Sequence, residues 1–330
     1  MPTDPAELLS TDVTLAAARL RAGGLVAVPT ETVYGLAAVA DHSHAVQRVF
    51  DVKQRPRGHP VIVHVASIDH LDGWTSEISS AARTLAVACW PGPLTLLVPR
   101  GPRVLDIVTG GRDTVGVRVP AHPLTTSLLL ELDTAVVAPS ANRFGRVSPT
   151  TARHVLDDLG DSLDPLTDLV LDGGACPVGV ESTIVDCTTD PPQVLRPGGI
   201  ATEEIARVLE IDLAPTSGPI RAAGMLPSHY APRCAVHLVT DRHAGEVASG
   251  RLAATGRHVE LLDLTHDLVV YARELYAELR AADRRGADDL VAVMPPAVGL
   301  GHAVRDRLTK AASPQDRVVR GAPSGSSRDG

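Results

Sequence analysis

Two rhythms of apolar and polar positions alternate along the first two thirds of this chain. Residues 12–24, "DVTLAAARLRAGG", place apolar side chains at helical spacing and end at glycine, whereas 25–30, "LVAVPT", form a buried-strand run. Residues 44–55, "HAVQRVFDVKQR", are helical again and are stopped by Pro56, since proline disfavours helix in the residue before it. Further strands are expected at 61–65, 94–98, 114–119, 135–138, 168–171, 182–186 and 193–196, and helices at 79–89, 122–132, 149–159 and 202–210. That order describes an α/β domain over 1–213, and the close spacing of strand runs after 165 argues against an all-parallel sheet.

The composition then changes. Residues 214–232, "APTSGPIRAAGMLPSHYAP", have the Pro, Gly and Ser content of a linker, although a bare spacer has no need of a His-Tyr pair between prolines. Over 233–312 a strand-helix unit recurs three times, which predicts a small three-stranded parallel, Rossmann-like domain with right-handed crossovers. Residues 313–330 read as a disordered tail.

Composition narrows the function classes. The chain of 330 residues is 44% hydrophobic, enough for a full core and more in keeping with two domains than one. No run approaches the roughly 20 apolar residues of a membrane span. The amino terminus lacks the basic and apolar regions of a secretory signal, so a cytoplasmic location is expected. Four scattered cysteines, Cys89, Cys176, Cys187 and Cys234, form no C-x-x-C pair and suggest neither a zinc site nor a disulfide framework; no protein metal site is expected. The net charge is −8, and residues 1–213 hold 16 basic against 26 acidic side chains, which counts against a general nucleic-acid-binding face. An anionic ligand must therefore be met by a local cluster, and 48–59 is the best candidate.

Common nucleotide-binding motifs are absent, and "VGLGHAV" (298–304) reads as a tight turn. Other segments are polar where a core element has no need to be. "PTETVYGL" (29–36) sets hydroxyls and a carboxylate after a strand, where open α/β sheets collect ligands; a helix cap by Thr30 or Thr32 is the alternative. Lys53 is one of only two lysines; it continues the stripe of Val46, Val49 and Phe50, so it turns toward the body of the protein, and Arg55 follows in the last turn. In "VIVHV", Ile62 and His64 share a face. Arg118, within the strand "TVGVRVP", needs a carboxylate or phosphate partner, either structural or from a ligand. "PSANRFGRVSPTTA" (139–152) leads into a helix with Ser148 as N-cap and Pro149 in its first turn, an arrangement that can bind phosphate with help from Ser140 and Asn142. "VESTIVD" and "VLRPGG" add Ser182, Asp186 and Arg196.

In this order, "PTETVYGL", "KQRP" with "HPVIVHV", "WPGPLTLLV", "GVRVP", "PSAN", "SPT", "ESTIVD", "LRPG" and "GMLPSHYAP" resemble the YrdC-like threonylcarbamoyl-AMP synthases in their longer, two-domain form. The resemblance runs from about residue 12 to 312. It implies a twisted mixed sheet around a concave cavity, crossed by the linker. It also implies an enzyme that joins L-threonine, bicarbonate or carbon dioxide, and ATP into threonylcarbamoyl-AMP and pyrophosphate, a nucleotidyltransferase whose product passes to a complex that modifies the adenosine beside the tRNA anticodon. By the same match Thr32, His64, Arg118, Ala138 and Ser182 line a threonine pocket, with Arg118 on the carboxylate. Lys53, Arg55, His59, Thr114, Ser140, Ser148, Arg196 and Tyr230 hold ATP, with Lys53 and Arg55 at the developing charge and Mg2+ carried on the triphosphate. Position 59 is usually asparagine in the family and is His59 here. "RAAGM" and "LPS" in the linker also leave the usual pattern. Competing readings are an RNA-binding module of the same fold, against which the acidic balance counts, and carbamoyl-adenylate chemistry in hydrogenase maturation, which calls for zinc-finger cysteines. Direct tRNA contact is possible but not implied by charge.

Overall fold

The predicted strands are buried along most of their length, which is why their runs are so largely apolar. The computed structural model describes residues 5–215 and 230–313. Its larger sheet has ten strands: β1 (Leu9–Ser10), β2 (Val26–Val28), β3 (Gly35–Val39), β4 (Ile62–His64), β5 (Leu94–Pro99), β6 (Thr114–Arg118), β7 (Val136–Val137), β8 (Leu169–Leu171), β9 (Thr183–Asp186) and β10 (Gln193–Arg196). They lie in the order β1-β8-β2-β3-β7-β4-β6-β5-β9-β10. Four pairs are parallel (β1 with β8, β8 with β2, β4 with β6, β5 with β9) and the other five antiparallel, so the sheet is mixed, as the strand spacing predicts.

Strand β3 was absent from the sequence expectation. Its residues, Gly-Leu-Ala-Ala-Val, have weak strand propensity, and pairing with β2 on one side and β7 on the other supplies what propensity does not. The helix Ser43–Lys53 buries Ala45, Val46, Val49, Phe50 and Lys53 on one face, as their spacing requires. It ends when Gln54 turns left-handed at φ 54°, two residues before Pro56. The helix expected over 149–159 begins later, at Ala152, with Thr151 as its N-cap accepting from the amide of His154 at 3.2 Å. Ser148 is therefore not the cap. Its hydroxyl instead donates to Glu181 at 2.6 Å, a charge-assisted bond stronger than a cap to a neutral amide.

The second sheet holds β11 (Ala235–Val239), β12 (Val259–Leu262) and β13 (Asp289–Val293), all parallel, with β13 central. Helices Arg242–Ala253, Leu268–Arg285 and Gly301–Ala312 alternate with or follow these strands. Gly299 takes φ +53° in the turn before the last of them, in keeping with the turn expected at "VGLGHAV". One apolar cluster joins Tyr271, Leu275, Tyr276 and Leu279 of the small domain to Val33, Val147 and Val180 of the large one. The linker reading falls mostly on 216–229, and the tail reading on 314–330; both stretches lie outside the described residues. Among the described residues no helix is long and apolar enough to cross a membrane.

A buried ion pair pins the middle of the large domain. Asp168, fully buried, accepts from the amide of Leu25 at 2.9 Å, from the amide of Asp164 at 2.9 Å and from Arg48 Nη2 at 2.8 Å. Asp168→Ala leaves the buried amide of Leu25 without its acceptor, removes that of the Asp164 amide, and takes from Arg48 its only carboxylate partner among the described residues, a loss of about 3 kcal/mol. The urea midpoint of the large domain is expected to fall by about 1 M; a shift within error would remove this carboxylate from the set that holds the fold.

Candidate active site

Residues at the ends of several strands converge on one cavity of about 540 Å³, part of which opens to solvent. Its wall includes Thr32, Arg55, His64, Arg118, Ser140, Glu181, Ser182, Arg196 and Tyr230, together with Ala138 and the apolar Val33, Val61 and Ile62.

The turn after β2 supplies Thr32. Thr30 Oγ1 accepts from the amides of Thr32 and Val33 at 3.1 and 3.2 Å, and a strand follows rather than a helix, so these hydroxyls shape a turn and cap nothing. Parallel pairing of β4 with β6 sets His64 beside Arg118. Arg118 is almost fully buried, and its partner is structural: Nη2 donates to Glu31 Oε1 at 2.6 Å and to Thr32 Oγ1 at 3.0 Å, and Nε donates to Gly92 O at 3.3 Å. Glu31 Oε2 in turn accepts from the amide of Ala121 at 3.0 Å. His64 Nδ1 donates to Ile62 O at 3.2 Å, which leaves Nε2 as an acceptor in the neutral ring. Burial, reinforced by the guanidinium of Arg118, lowers the His64 pKa to about 3.

Opposite lie Ser182 and Arg196. A bulge between Val194 and Arg196 re-aims the end of β10, and Arg196 Nη2 donates to Ser182 O at 2.8 Å and to Ser182 Oγ at 3.2 Å. Ser182 Oγ also lies 2.8 Å from Thr95 Oγ1. Gly198 makes this approach possible, because a Cβ there would come within 2.3 Å of Glu181 O.

Arg55 reaches the wall from just past the Ser43–Lys53 helix. Its Nη2 donates to Pro60 O at 2.8 Å, and its guanidinium lies 5.5 Å from the centre of the Phe144 ring. Burial brings its pKa down to about 10.

Lys53 stands apart from the lining. Its ammonium is buried and donates to the carbonyls of Ser140 and Asn142, both at 2.5 Å, tying the segment that carries Ser140 to the helix end. Burial, and the nearby charge of Arg55, hold the Lys53 pKa well below its ordinary value. His59 packs edge-on against Phe144 at 5.4 Å, outside the lining, and its pKa is lowered by burial and by Arg55. Thr114 lines a second, largely apolar crevice that shares Val61 and Ile62 with the first. Ser148 touches the cavity only through Glu181.

Sequence reasoning noted the Glu31 carboxylate without pairing it to Arg118, and passed over Glu181. Glu31 and Glu181 each sit one position before a chosen hydroxyl residue, Thr32 and Ser182, and that adjacency was the available signal. It likewise missed Tyr276 and Arg307, which donate to Glu181 Oε2 at 2.7 and 2.8 Å from helices of the small domain and had no signal beyond amphipathic spacing. Burial by itself would raise the Glu181 pKa, but Arg307, Arg196 and the Ser148 hydroxyl outweigh it and hold it down to about 2.

The Sua5/YciO/YrdC family model, described as "Telomere recombination", matches residues 18–198, and the model described as "Threonylcarbamoyl-AMP synthase, C-terminal domain" matches 200–313. A threonylcarbamoyl-AMP synthase of Pyrococcus abyssi is 40% identical over 91% of this chain and 93% of its own length. One of Bacillus subtilis is 36% identical over 96% and 97%. The crystal structure of P. abyssi Sua5 complexed with L-threonine superposes with a TM-score of 0.84 at 38% identity, covering 91% of this chain and 94% of that one. With both domain models matched in order and relatives aligned along nearly the whole length, the chain belongs to the Sua5/YciO/YrdC family in its two-domain, threonylcarbamoyl-AMP synthase form.

Proposed function

We propose that this chain makes threonylcarbamoyl-AMP from L-threonine, bicarbonate or carbon dioxide, and ATP, acting as a nucleotidyltransferase in the cytoplasm. The observation that carries the reading is the meeting of two sets of side chains on one cavity: Thr32, His64, Arg118, Ala138 and Ser182 for the amino acid, and Arg55, Ser140, Arg196 and Tyr230 for the nucleotide. That a relative was solved complexed with L-threonine supports threonine as the amino acid.

The chemistry asks for positioning and charge. The amine of threonine adds to carbon dioxide to give a carbamate and releases a proton. A carbamate oxygen then attacks the α-phosphorus as the bond to pyrophosphate breaks. No side chain need bond covalently to substrate, so oriented donors do the work. Arg118, already fixed by Glu31, presents its guanidinium to the threonine carboxylate. His64, neutral at working pH, offers Nε2 as an acceptor to the hydroxyl or nitrogen of threonine. Arg55 and Arg196 meet the phosphates. Lys53 adds a positive charge just behind them and holds the Ser140 segment in place. Thr114 and His59 border the nucleotide from the adjoining pocket and the mouth, and Ser148 acts through Glu181. Tyr230 closes one side, where exclusion of water protects a labile mixed anhydride. Magnesium arrives with the triphosphate: among the described residues no group of three or more metal-binding side chains gathers, so phosphate oxygens and water would carry it. The product would pass to a complex that transfers the threonylcarbamoyl group to tRNA.

Pyrophosphate release from ATP, followed with threonine and bicarbonate supplied or omitted, tests this directly. Release is expected only with both; release indifferent to threonine overturns the reading. Arg118→Lys replaces a planar fork with a point charge shared with Glu31, and the KM for threonine should rise by roughly tenfold, with that for ATP changed far less. His64 supplies a pH test. Its folded pKa, about 3, is below that of an unfolded histidine, so the unfolded chain binds more protons between those values. Stability from this group is complete above about pH 6.5 and is lost as pH falls toward 3. His64→Gln is accordingly expected to flatten the fall in urea midpoint between about pH 6.5 and pH 4; an unchanged slope would show that His64 is not held neutral.

A further inference from the structure

Two side chains of the small domain reach the wall of the cavity without lining it. Tyr276, from the helix Leu268–Arg285, and Arg307, from Gly301–Ala312, are both fully buried and both donate to Glu181 Oε2, at 2.7 and 2.8 Å. Glu181 lies in the wall next to Ser182, and its other oxygen, Oε1, takes the hydroxyl of Ser148 at 2.6 Å. The same pair frames Tyr230: the Tyr276 ring stacks on it at 5.6 Å, and the Arg307 guanidinium lies 5.1 Å from its centre. Arg307 Nη1 also donates to Pro197 O at 2.9 Å, immediately after Arg196, and to Asp306 at 2.5 Å. Tyr230 and the backbone after Arg196 are thus gripped from the second domain by these two residues, and Ser148 is reached by them through Glu181 and by Arg280 of the same helix as Tyr276, which donates to Ser148 O at 3.3 Å.

We propose that Tyr276 and Arg307 are positioning residues for the nucleotide half of the site: by fixing Glu181, Tyr230 and the Arg196–Pro197 backbone, the small domain sets the geometry in which ATP is held, while the threonine half meets the small domain only at Ser182, next to Glu181. The inference rests on the functional reading above. Most of the threonine half is held otherwise: Arg118, Thr32 and His64 take their partners from Glu31, Gly92 and Ile62, all within the large domain. An ion pair this well buried transmits displacement, since a shift of either partner leaves a desolvated charge behind.

The test uses the full chain and three substitutions: Tyr276→Phe, which keeps the stack on Tyr230 and removes only the hydroxyl; Arg307→Lys, which keeps the charge; and Arg307→Gln, which removes it. Affinities for MgATP and for threonine are measured separately by titration calorimetry, beside threonine-dependent pyrophosphate release. MgATP affinity is expected to fall about threefold for Tyr276→Phe and on the order of tenfold or more for Arg307→Gln, with Arg307→Lys between them and threonine affinity changed less than about twofold throughout.

A pH series separates positioning from simple destabilisation. The charged and titratable groups facing Glu181 are Arg307, Arg196, Tyr230 and Tyr276. With Arg307 gone, the largest of the charges that oppose burial is lost, the Glu181 carboxyl takes up its proton at a higher pH than in the parent chain, and MgATP affinity of Arg307→Gln should begin to fall at a higher pH than that of the parent. Unchanged MgATP affinity, or equal loss of both ligands with no new pH dependence, overturns the inference. If Arg307→Gln does not fold, as judged by circular dichroism, Tyr276→Phe decides by the same comparison. A parent chain that binds MgATP yet releases pyrophosphate without threonine overturns the synthase reading and leaves this inference to be decided by MgATP affinity.

Discussion

Glu181 is a carboxylate almost out of reach of water, and its two oxygens are claimed from both domains. Leaving such a group without partners costs about 3–5 kcal/mol, so the arrangement of Ser148, Tyr276 and Arg307 around it is close to obligatory once the chain has folded. Because Ser182 is its neighbour in sequence and Arg196 donates to the carbonyl of Ser182, the position of Glu181 is passed on to the cavity wall. The contact between domains and the shape of the site are in this sense one interaction.

The cavity also reconciles an acidic chain with an anionic ligand. A net charge of −8 describes the surface as a whole, whereas Arg55, Arg118 and Arg196 project into one small space with Lys53 behind it. Two of these cations differ in how they are balanced. Arg118 has the carboxylate of Glu31, so its charge is largely compensated before any ligand arrives. Lys53 rests on two carbonyl oxygens, which satisfy its hydrogen bonds without cancelling its charge. An incoming polyanion would therefore meet Arg55, whose hydrogen bonds go to the carbonyls of His59 and Pro60, on one side and a pre-oriented fork on the Arg118 side, a division that suits the proposed ATP at one end and an amino acid at the other.

Much of the large domain was legible because apolar periodicity reports burial, and burial decides most strands and helices. Eight of its ten strands arise where the apolar runs stand; β1, only two residues long, and β3, rich in alanine, do not announce themselves and form because neighbouring strands offer them partners. The start of the helix at Ala152 went unrecognised for a different reason. Ser148 and Thr151 are both competent caps in sequence, and only the presence of Glu181 beside Ser148 settles which hydroxyl is free to cap.

By itself the sequence determined the period of each segment, the inward turn of Lys53, the shared face of Ile62 and His64, the parallel small domain and the identity of most residues that reach the cavity, since these follow from local geometry and from motif order. The tertiary structure alone decided which charges meet. That Arg118 faces Glu31, that Lys53 sits on carbonyls behind the wall, and that Tyr276 and Arg307 cross from the second domain to Glu181 depend on contacts between residues far apart in the chain. Electrostatic energy depends on distance in space and on burial, and neither is set by spacing along the chain.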